Sequence, residues 1–331
     1  MPIIVYQTYP KYHKTKITSI YMAVIFFHFI NVEEKGLCVC FLDTTIAMAT
    51  NLSLLLSIIL LLLVTQPIKG HSFKSLQHLD GSHKGQMVKG LHEIKHYLSA
   101  FGYLKLDNST GLSNDHASVK DKDEFDEHLE HAIKSFQKNF HLNVTGRLDS
   151  STLDVMMTPR CGVSDIDNMS PNYAFFPGKP KWGKKYLTYT FNSSVTREVL
   201  DKLSFAMQTG SEEWHKHTQF TFARGRPSST SDISIGIMHM DGPGKVTARA
   251  GPPTFAIMLF DADETWSIND KPNANQLDMV SVATHEIGHI LGLQHSTDVN
   301  AVMYPFLGFG MTKRELGHDD IDGIFALYGK P

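Results

Sequence analysis

Apolar residues recur at helical spacing in two segments ahead of residue 160, and this pattern predicts a small helical module at 86–157. The first apolar face lies within 88–101 and contains Leu91, Ile94 and Leu98. The second lies within 125–140. Both segments keep polar residues on the opposite face, as amphipathic helices do.

A short third helix is predicted just after residue 150. Ser151 and Asp154 have the spacing of a capping box ahead of two apolar residues. Polar residues dominate 71–85 and 105–123, and we expect both segments to be loops. The segment from 159 to 183 contains proline and glycine without periodicity, which predicts an exposed and cleavable connector.

Beyond residue 183 strands alternate with helices. In Tyr186–Phe191 apolar and threonine side chains alternate, which indicates a half-buried strand. Further strands are predicted at 220–223, 233–237 and 256–260, and helices at 199–214, 280–293 and 319–328. Strands and helices mixed in this way predict a domain of the α+β class.

The first 70 residues differ from the rest in hydropathy. Apolar stretches occupy 17–32 and 52–64, and the second has the length of a signal-peptide core. We therefore expect 1–70 to be an N-terminal extension plus a signal peptide, with Met48 as an alternative start. The other interpretation is an uncleaved anchor. Four glycosylation sequons fit the secretory route, at Asn108, Asn143, Asn168 and Asn192.

Composition narrows the function classes. The 331 residues include 31 basic and 34 acidic side chains, so there is no basic excess to favour a nucleic-acid partner. The three cysteines exclude a disulfide-stapled scaffold, and Cys161 alone would remain after removal of 1–70. Histidine is frequent, with 18 copies, which directs attention to metal sites.

One segment carries a metal-ligand pattern. His285 and His289 are four residues apart and would lie on one face of a helix. Glu286 follows the first of them, and Gly292 can end the helix so that His295 returns as a third ligand. Three protein ligands leave a fourth position open, which is typical of catalytic zinc. The alternative, a buried helix with histidines and no metal, would leave these polar groups uncompensated.

The segment 285–295 resembles the long zinc motif of the metzincins. Met303, eight residues beyond His295, resembles their Met-turn methionine. Ser296 after the third histidine, and Tyr304-Pro305 after the methionine, are similar to the matrix metalloproteinases, or matrixins. The resemblance implies a zinc peptidase with Glu286 as the catalytic residue.

The single mature cysteine also fits this resemblance. The segment 159–165, Pro-Arg-Cys-Gly-Val-Ser-Asp, resembles the cysteine switch of matrixin zymogens. The resemblance implies that Cys161 fills the fourth zinc position in the latent form and that Arg160 pairs with Asp165. Ser164 stands where the common animal form has proline. A buried structural thiol is the alternative, and the polar surroundings of Cys161 argue against it.

The resemblance covers about 86–329 and implies the domain plan. A propeptide at 71–172, a peptidoglycan-binding-like helical bundle with the switch, precedes a catalytic domain at 173–331. The catalytic fold implied is a twisted, mostly parallel sheet with an antiparallel edge strand and three helices. A propeptide plus a catalytic domain, without a haemopexin domain, is similar to plant matrixins.

This chain departs from the family pattern in one region. Matrixins hold a structural zinc with three histidines and an aspartate ahead of the catalytic helix. Here Arg249 and Leu259 stand at two of the histidine positions, and the loop before Asp241 is short, with His239 as the remaining imidazole. We therefore predict one zinc ion rather than two.

Calcium ligands are also implied by the resemblance. Asp241, Asp261 and Glu264 match family calcium positions, and hard carboxylate oxygens suit Ca²⁺. Solvated acids in a surface loop are the alternative interpretation.

The sequence thus predicts a secreted, extracellular zinc endopeptidase of the cell wall or matrix, monomeric and made as a zymogen. Substrates would be extracellular proteins, bound along an edge strand at Val246–Ala250 with a pocket near Pro305, and a second protease would cut the connector. Two alternatives stay open. One is a matrixin-like protein that binds zinc without cutting, and the other is a secreted binding module.

Overall fold

The computed structural model describes residues 73–105, 122–165, 172–226 and 231–331. The chain divides into Met1–Ile68 and Lys69–Pro331, and every described residue belongs to the second unit. The predicted signal core at 52–64 and the sequons at Asn108 and Asn168 therefore lie outside the described residues. In the described part, no helix is both long and apolar enough to cross a membrane.

A small helical module opens the described chain. Its elements are a 3₁₀ helix at Phe73–Leu79, α1 at Leu91–Ala100, α2 at Glu127–Asn139 and α3 at Ser150–Met156. The predicted apolar faces form its core, which includes Leu91, Ile94, Leu98, Leu129, Ile133 and Phe136. The prediction of a loop at 71–85 was wrong for 73–79, because Leu76 and Leu79 are buried in this core.

The start of α3 corrects the capping prediction. The N-cap is Asp149, whose side chain accepts a hydrogen bond from the backbone N–H of Thr152. Ser151 lies inside the first turn instead and donates its hydroxyl to Asp149. An aspartate two residues earlier satisfies the free N–H groups better than the predicted Ser151–Asp154 box.

The second half of the molecule contains a six-stranded sheet. Its strands are β1 at Arg160–Cys161, β2 at Tyr186–Phe191, β3 at Thr221–Arg224, β4 at Ile233–Met238, β5 at Val246–Ala250 and β6 at Ile257–Asp261. The order across the sheet is β1-β5-β6-β4-β2-β3. Only β5 and β6 pair in antiparallel fashion, and the other pairs are parallel. A separate two-stranded ladder joins β7 at Trp266–Ser267 to β8 at Leu277–Asp278.

Three helices pack with this sheet, namely α4 at Arg197–His217, α5 at Met279–Leu291 and α6 at His318–Tyr328. Helix α5 is buried on all sides, so it lies at the centre of the domain. Trp214 of α4 donates its indole N–H to the carbonyl of Thr284 at 2.8 Å. At Gly210 an added Cβ would lie 2.9 Å from the Thr284 hydroxyl, so a glycine lets the two helices approach closely.

The predicted fold class is confirmed. The catalytic half has a mostly parallel sheet, an antiparallel strand β5 and three helices, and a helical module precedes it. The predicted boundaries of strands and helices beyond residue 183 lie within three residues of the observed ones, and the strand at Tyr186–Phe191 is exact.

Candidate active site

Helix α5 carries the first two histidines of the predicted zinc motif. It begins after Asp278, whose side chain accepts a hydrogen bond from Ser281 N–H. It ends at Gly292, which adopts the left-handed conformation with φ 106°. This reversal returns the chain toward the helix, so that His295 lies beside His285 and His289 as predicted.

The three histidines and Cys161 form one buried cluster. Their potential ligand atoms lie within 4.8 Å of one another. The Nε2 atoms of His285 and His289 are 3.1 Å apart, and Cys161 Sγ lies 3.4 Å from His289 Nε2. Tetrahedral zinc requires about 3.3 Å between two nitrogen ligands and about 3.6 Å between sulfur and nitrogen. The donor set therefore fits a zinc ion.

Hydrogen bonds at the other ring nitrogen fix each imidazole. His285 Nδ1 donates to the carbonyl of Val302 at 2.7 Å, and His289 Nδ1 donates to that of Leu293 at 2.8 Å. His295 Nδ1 donates to the carboxylate of Asp165 at 2.7 Å. Each ring therefore presents Nε2 to the cluster, and the buried Nε2 of His295 has no hydrogen-bond partner among the described residues.

Burial sets the protonation states at this cluster. Burial lowers the pKa of His285 and of His289 well below the usual range, which keeps both imidazoles neutral, as metal ligands must be. Burial, reinforced by the charge of Glu286, raises the pKa of the Cys161 thiol. Burial also raises the pKa of Glu286 to about 8, although the neighbouring Cys161 acts to lower it.

Met303 packs directly under the zinc-motif helix, as the resemblance to a Met-turn implies. An added Cβ at Gly288 would overlap Met303 Sδ and lie 3.0 Å from Trp214 Cζ2, so a glycine at 288 lets Met303 approach α5 closely. Asp320 of α6 holds the turn, because its carboxylate accepts from the N–H groups of Val302 and Met303 at 2.7 and 2.9 Å. Asp320 was not among the predicted site residues, although the adjacent acids Asp319 and Asp320 in an otherwise apolar helix were a signal in the sequence.

The segment around Cys161 lies in the cleft beside the cluster. On one side Gly162 N–H donates to the carbonyl of Ala248 in β5 at 2.8 Å. On the other side Cys161 N–H donates to the carbonyl of Pro305 at 2.9 Å. Strand β1 runs parallel to β5 and occupies the edge predicted to bind substrate.

Arg160 fastens this segment, as the resemblance implied. Its guanidinium contacts the Asp165 carboxylate through two hydrogen bonds of 2.6 and 3.1 Å, and both side chains are buried. The guanidinium also lies 3.4 Å from the centroid of Phe101 and 4.8 Å from that of Phe306. Burial alone would raise the pKa of Asp165, but Arg160 and His295 together lower it to about 2.

A small cavity opens next to Cys161 and continues between α5 and the chain after Met303. Its lining includes Val282, Glu286, Pro305 and Leu307, with Ser281 and Lys313 adding polar groups. This is where the resemblance placed a side-chain pocket for substrate.

The three predicted calcium ligands lie near one another on the loops around β5 and β6. Glu264 accepts from Gly244 N–H at 2.6 Å, and Asp261 accepts from Met240 and Asp263 N–H groups. A second oxygen of Asp261 and one of Glu264 are buried with no partner among the described residues. Burial and the negative charges of Asp261 and Asp241 raise the pKa of Glu264 to about 7.

The ligand atoms of these carboxylates do not form a group as compact as that of the predicted zinc ligands. In the described ranges, Cys161 and the three histidines are the only group of three or more such side chains arranged to hold an ion. Arg249 of β5 and Leu259 of β6 stand directly opposite each other in the ladder. His239 is exposed and pairs with Asp263 at 2.6 Å.

Comparison with known proteins identifies the family. Residues 181–329 match the family model described as Matrixin, and 89–156 match that of a putative peptidoglycan binding domain. Metalloendoproteinase 5-MMP of Arabidopsis thaliana is 36% identical over 287 residues, which is 78% of this chain and 76% of that protein. Metalloendoproteinase 1 of Glycine max is 37% identical over 75% of this chain and 84% of its own length.

An animal protein is similar over a shorter span. Matrilysin of Homo sapiens is 38% identical over 218 residues, which is 61% of this chain and 77% of that protein. The chain therefore belongs to the matrixin family and is a zinc metalloendopeptidase.

Proposed function

We propose that this chain is a zymogen in which Cys161 blocks the zinc site until the propeptide is removed. The observation that carries the proposal is the 3.4 Å approach of Cys161 Sγ to His289 Nε2. A thiolate at that place completes a tetrahedral set with the three imidazoles. It leaves no position for a water molecule, so the enzyme is latent.

Zinc bound by His285, His289 and His295 would polarise the scissile carbonyl and lower the pKa of the attacking water. Glu286 is the general base, because it follows the first ligand on α5 and its carboxylate is buried beside Cys161. Glu286 takes the proton of the attacking water and passes it to the leaving amine.

The substrate takes the place of the segment around Cys161. Once that segment leaves, the free edge of β5 offers N–H and C=O groups to an extended peptide. A side chain of the peptide enters the cavity between α5 and Pro305. The substrates are extracellular proteins or peptides, the enzyme acts as a monomer, and an activating protease cuts between Cys161 and Trp182.

Glu286→Gln tests the catalytic assignment. We expect the variant to keep stoichiometric zinc and to lose roughly 10²–10⁴-fold in kcat/KM, because the general base is gone while all ligands remain. Metal analysis and a quenched-peptide assay on the activated enzyme measure the two quantities. Normal turnover by this variant would rule out Glu286 as the base.

We also propose calcium at Asp241, Asp261 and Glu264. Asp261 and Glu264 each have a buried carboxylate oxygen without a partner among the described residues, and the charges of Asp261 and Asp241 help to raise the pKa of Glu264, which supports a cation at this place. A structural zinc is not proposed. Arg249 and Leu259 supply a guanidinium and an apolar side chain at two positions where the resemblance implies imidazole ligands.

Secretion is proposed from the apolar stretch at 52–64. Protein collected from the medium is expected to begin downstream of residue 64, as N-terminal sequencing would show. A mature chain that still begins at Met1 would contradict this proposal.

One alternative function has an observation in its favour. The opposed Arg249 and Leu259 mark a region that has lost its family ligands, so a matrixin that binds zinc without cutting is the second candidate. Zinc-loaded, propeptide-free enzyme that cleaves no peptide would favour it.

A further inference from the structure

The three zinc-site histidines differ in the source of their outer hydrogen bond. His285 and His289 donate to backbone carbonyls of the catalytic half, 17 and four residues away along the chain. His295 donates instead to Asp165, which lies 130 residues away in the predicted propeptide at 71–172. Two rings are therefore oriented by the enzyme itself, and the third is oriented by the propeptide.

Asp165 is rigidly placed for this contact. Its side chain is 1% exposed and accepts two hydrogen bonds from Arg160. Its backbone N–H donates to the carbonyl of Phe101 at 3.2 Å, and the Arg160 guanidinium lies over the ring of Phe101. The carboxylate is thus fixed by the helical module on one side and contacts a metal ligand on the other.

We propose that Asp165 is a positioning residue for zinc, so that the propeptide retains the metal as well as blocking it. The proposal rests on the proposed zymogen function. A carboxylate that accepts from a ligand imidazole fixes its tautomer and raises its basicity, and loss of such a partner costs about 10–100-fold in metal affinity. The buried Arg160–Asp165 ion pair is thereby linked to the zinc site through the hydrogen bond from His295 to Asp165.

Two groups of the propeptide contribute to zinc affinity under this proposal, and activation removes both. Cleavage of the connector on the C-terminal side of Asp165 takes away the Cys161 ligand and the Asp165 partner of His295 at the same time. Zinc in the mature enzyme should therefore be held more weakly than the loss of one thiolate alone explains. The Cys161→Ser chain, which lacks the thiolate but keeps Asp165, isolates the second contribution.

Zinc transfer to a chromogenic chelator at fixed pH tests the proposal on the full chain. Every protein carries Glu286→Gln, which prevents self-cleavage. Adding Asp165→Ala to Cys161→Ser is expected to weaken zinc binding by roughly 10-fold or more. Arg160→Met is the matched control, since it breaks the same ion pair but leaves the carboxylate beside His295, and it should retain most of the affinity.

Equal zinc affinity with and without Asp165 in the Cys161→Ser background would overturn the proposal. Equal losses of zinc affinity in Asp165→Ala and Arg160→Met would also overturn it, because loss of the Arg160–Asp165 ion pair would then account for both. A parent protein that binds no zinc would instead contradict the proposed function on which this inference depends.

A second measurement leaves Asp165 unchanged and covers the case in which Asp165→Ala fails to fold. In NMR spectra of the zinc-loaded Glu286→Gln chain, all three Nδ1–H protons are expected to be protected from exchange. After proteolytic removal of the propeptide, His295 alone should lose this protection, while His285 and His289 keep theirs. Unchanged protection at His295 would overturn the proposal.

Discussion

At the scale of single residues, the site depends on atoms that are not ligands themselves. Each histidine donates a hydrogen bond from Nδ1 to an oxygen, and this contact orients the ring with Nε2 toward the cluster. Gly292 is equally necessary, because its φ of 106° reverses the chain between the second and third ligand. An added Cβ there would lie 2.7 Å from the carbonyl oxygen of Pro180.

Gly292→Ala should therefore destabilise the protein strongly. We expect a loss of about 2–4 kcal/mol in the free energy of unfolding, from the left-handed backbone and from overpacking combined. Gly178→Ala is the control, because Gly178 also has positive φ but nothing lies within 4 Å of its added Cβ. It should cost only about 1 kcal/mol. Denaturant titration measures both, and equal losses would show that crowding at Gly292 is unimportant.

At the scale of elements, the loop between β4 and β5 distinguishes this chain from the family pattern. Only seven residues, 239–245, separate Met238 from Val246. Arg249 and Leu259 then pair across β5 and β6, at positions where the resemblance implies two imidazoles. The carboxylates of Asp261 and Glu264 remain beside this loop and hold its backbone through N–H groups of Met240 and Gly244.

Metal analysis of the purified chain tests this reading of the loop. We expect one zinc per chain, because Arg249 and Leu259 offer no ligand, together with bound calcium at the carboxylates. The Cys161→Ser and Glu286→Gln chains should give the same count, since neither change touches the β4–β5 region. Two zinc ions per chain would contradict the single-zinc prediction. Zinc without calcium would contradict the calcium proposal and favour the interpretation of Asp241, Asp261 and Glu264 as solvated acids.

Local patterns predicted these elements well, and long-range contacts explain what they missed. The spacing of His285 and His289 specifies a helix face, because both partners lie within one turn. The contact between Asp165 and His295 depends on how the helical module docks, which no periodicity encodes. The two-residue strand β1 was missed for the same reason, because only its pairing with β5 makes it a strand.

At the scale of the whole molecule, the propeptide and the catalytic half share one packed interface. Phe306 of the catalytic half lies in the core of the helical module, 5.0 Å from the ring centroid of Phe140. Arg160 is buried between Phe101 and Phe306 and carries its ion pair with Asp165. Breaking such a buried pair by removing one partner costs about 3–5 kcal/mol. The Arg160–Asp165 pair therefore contributes to the docking of the helical module on the catalytic half.

We propose that the Cys161 thiolate holds its segment over the zinc site and thereby keeps substrate out of the cleft. The direct test is cleavage of a quenched peptide by the purified chain before and after treatment with an organomercurial, which reacts with the thiol, with and without a zinc chelator. We predict no cleavage before treatment, chelator-sensitive cleavage after it, and cleavage by Cys161→Ser without treatment. A Cys161→Ser chain that binds zinc yet does not cleave the peptide would contradict this proposal.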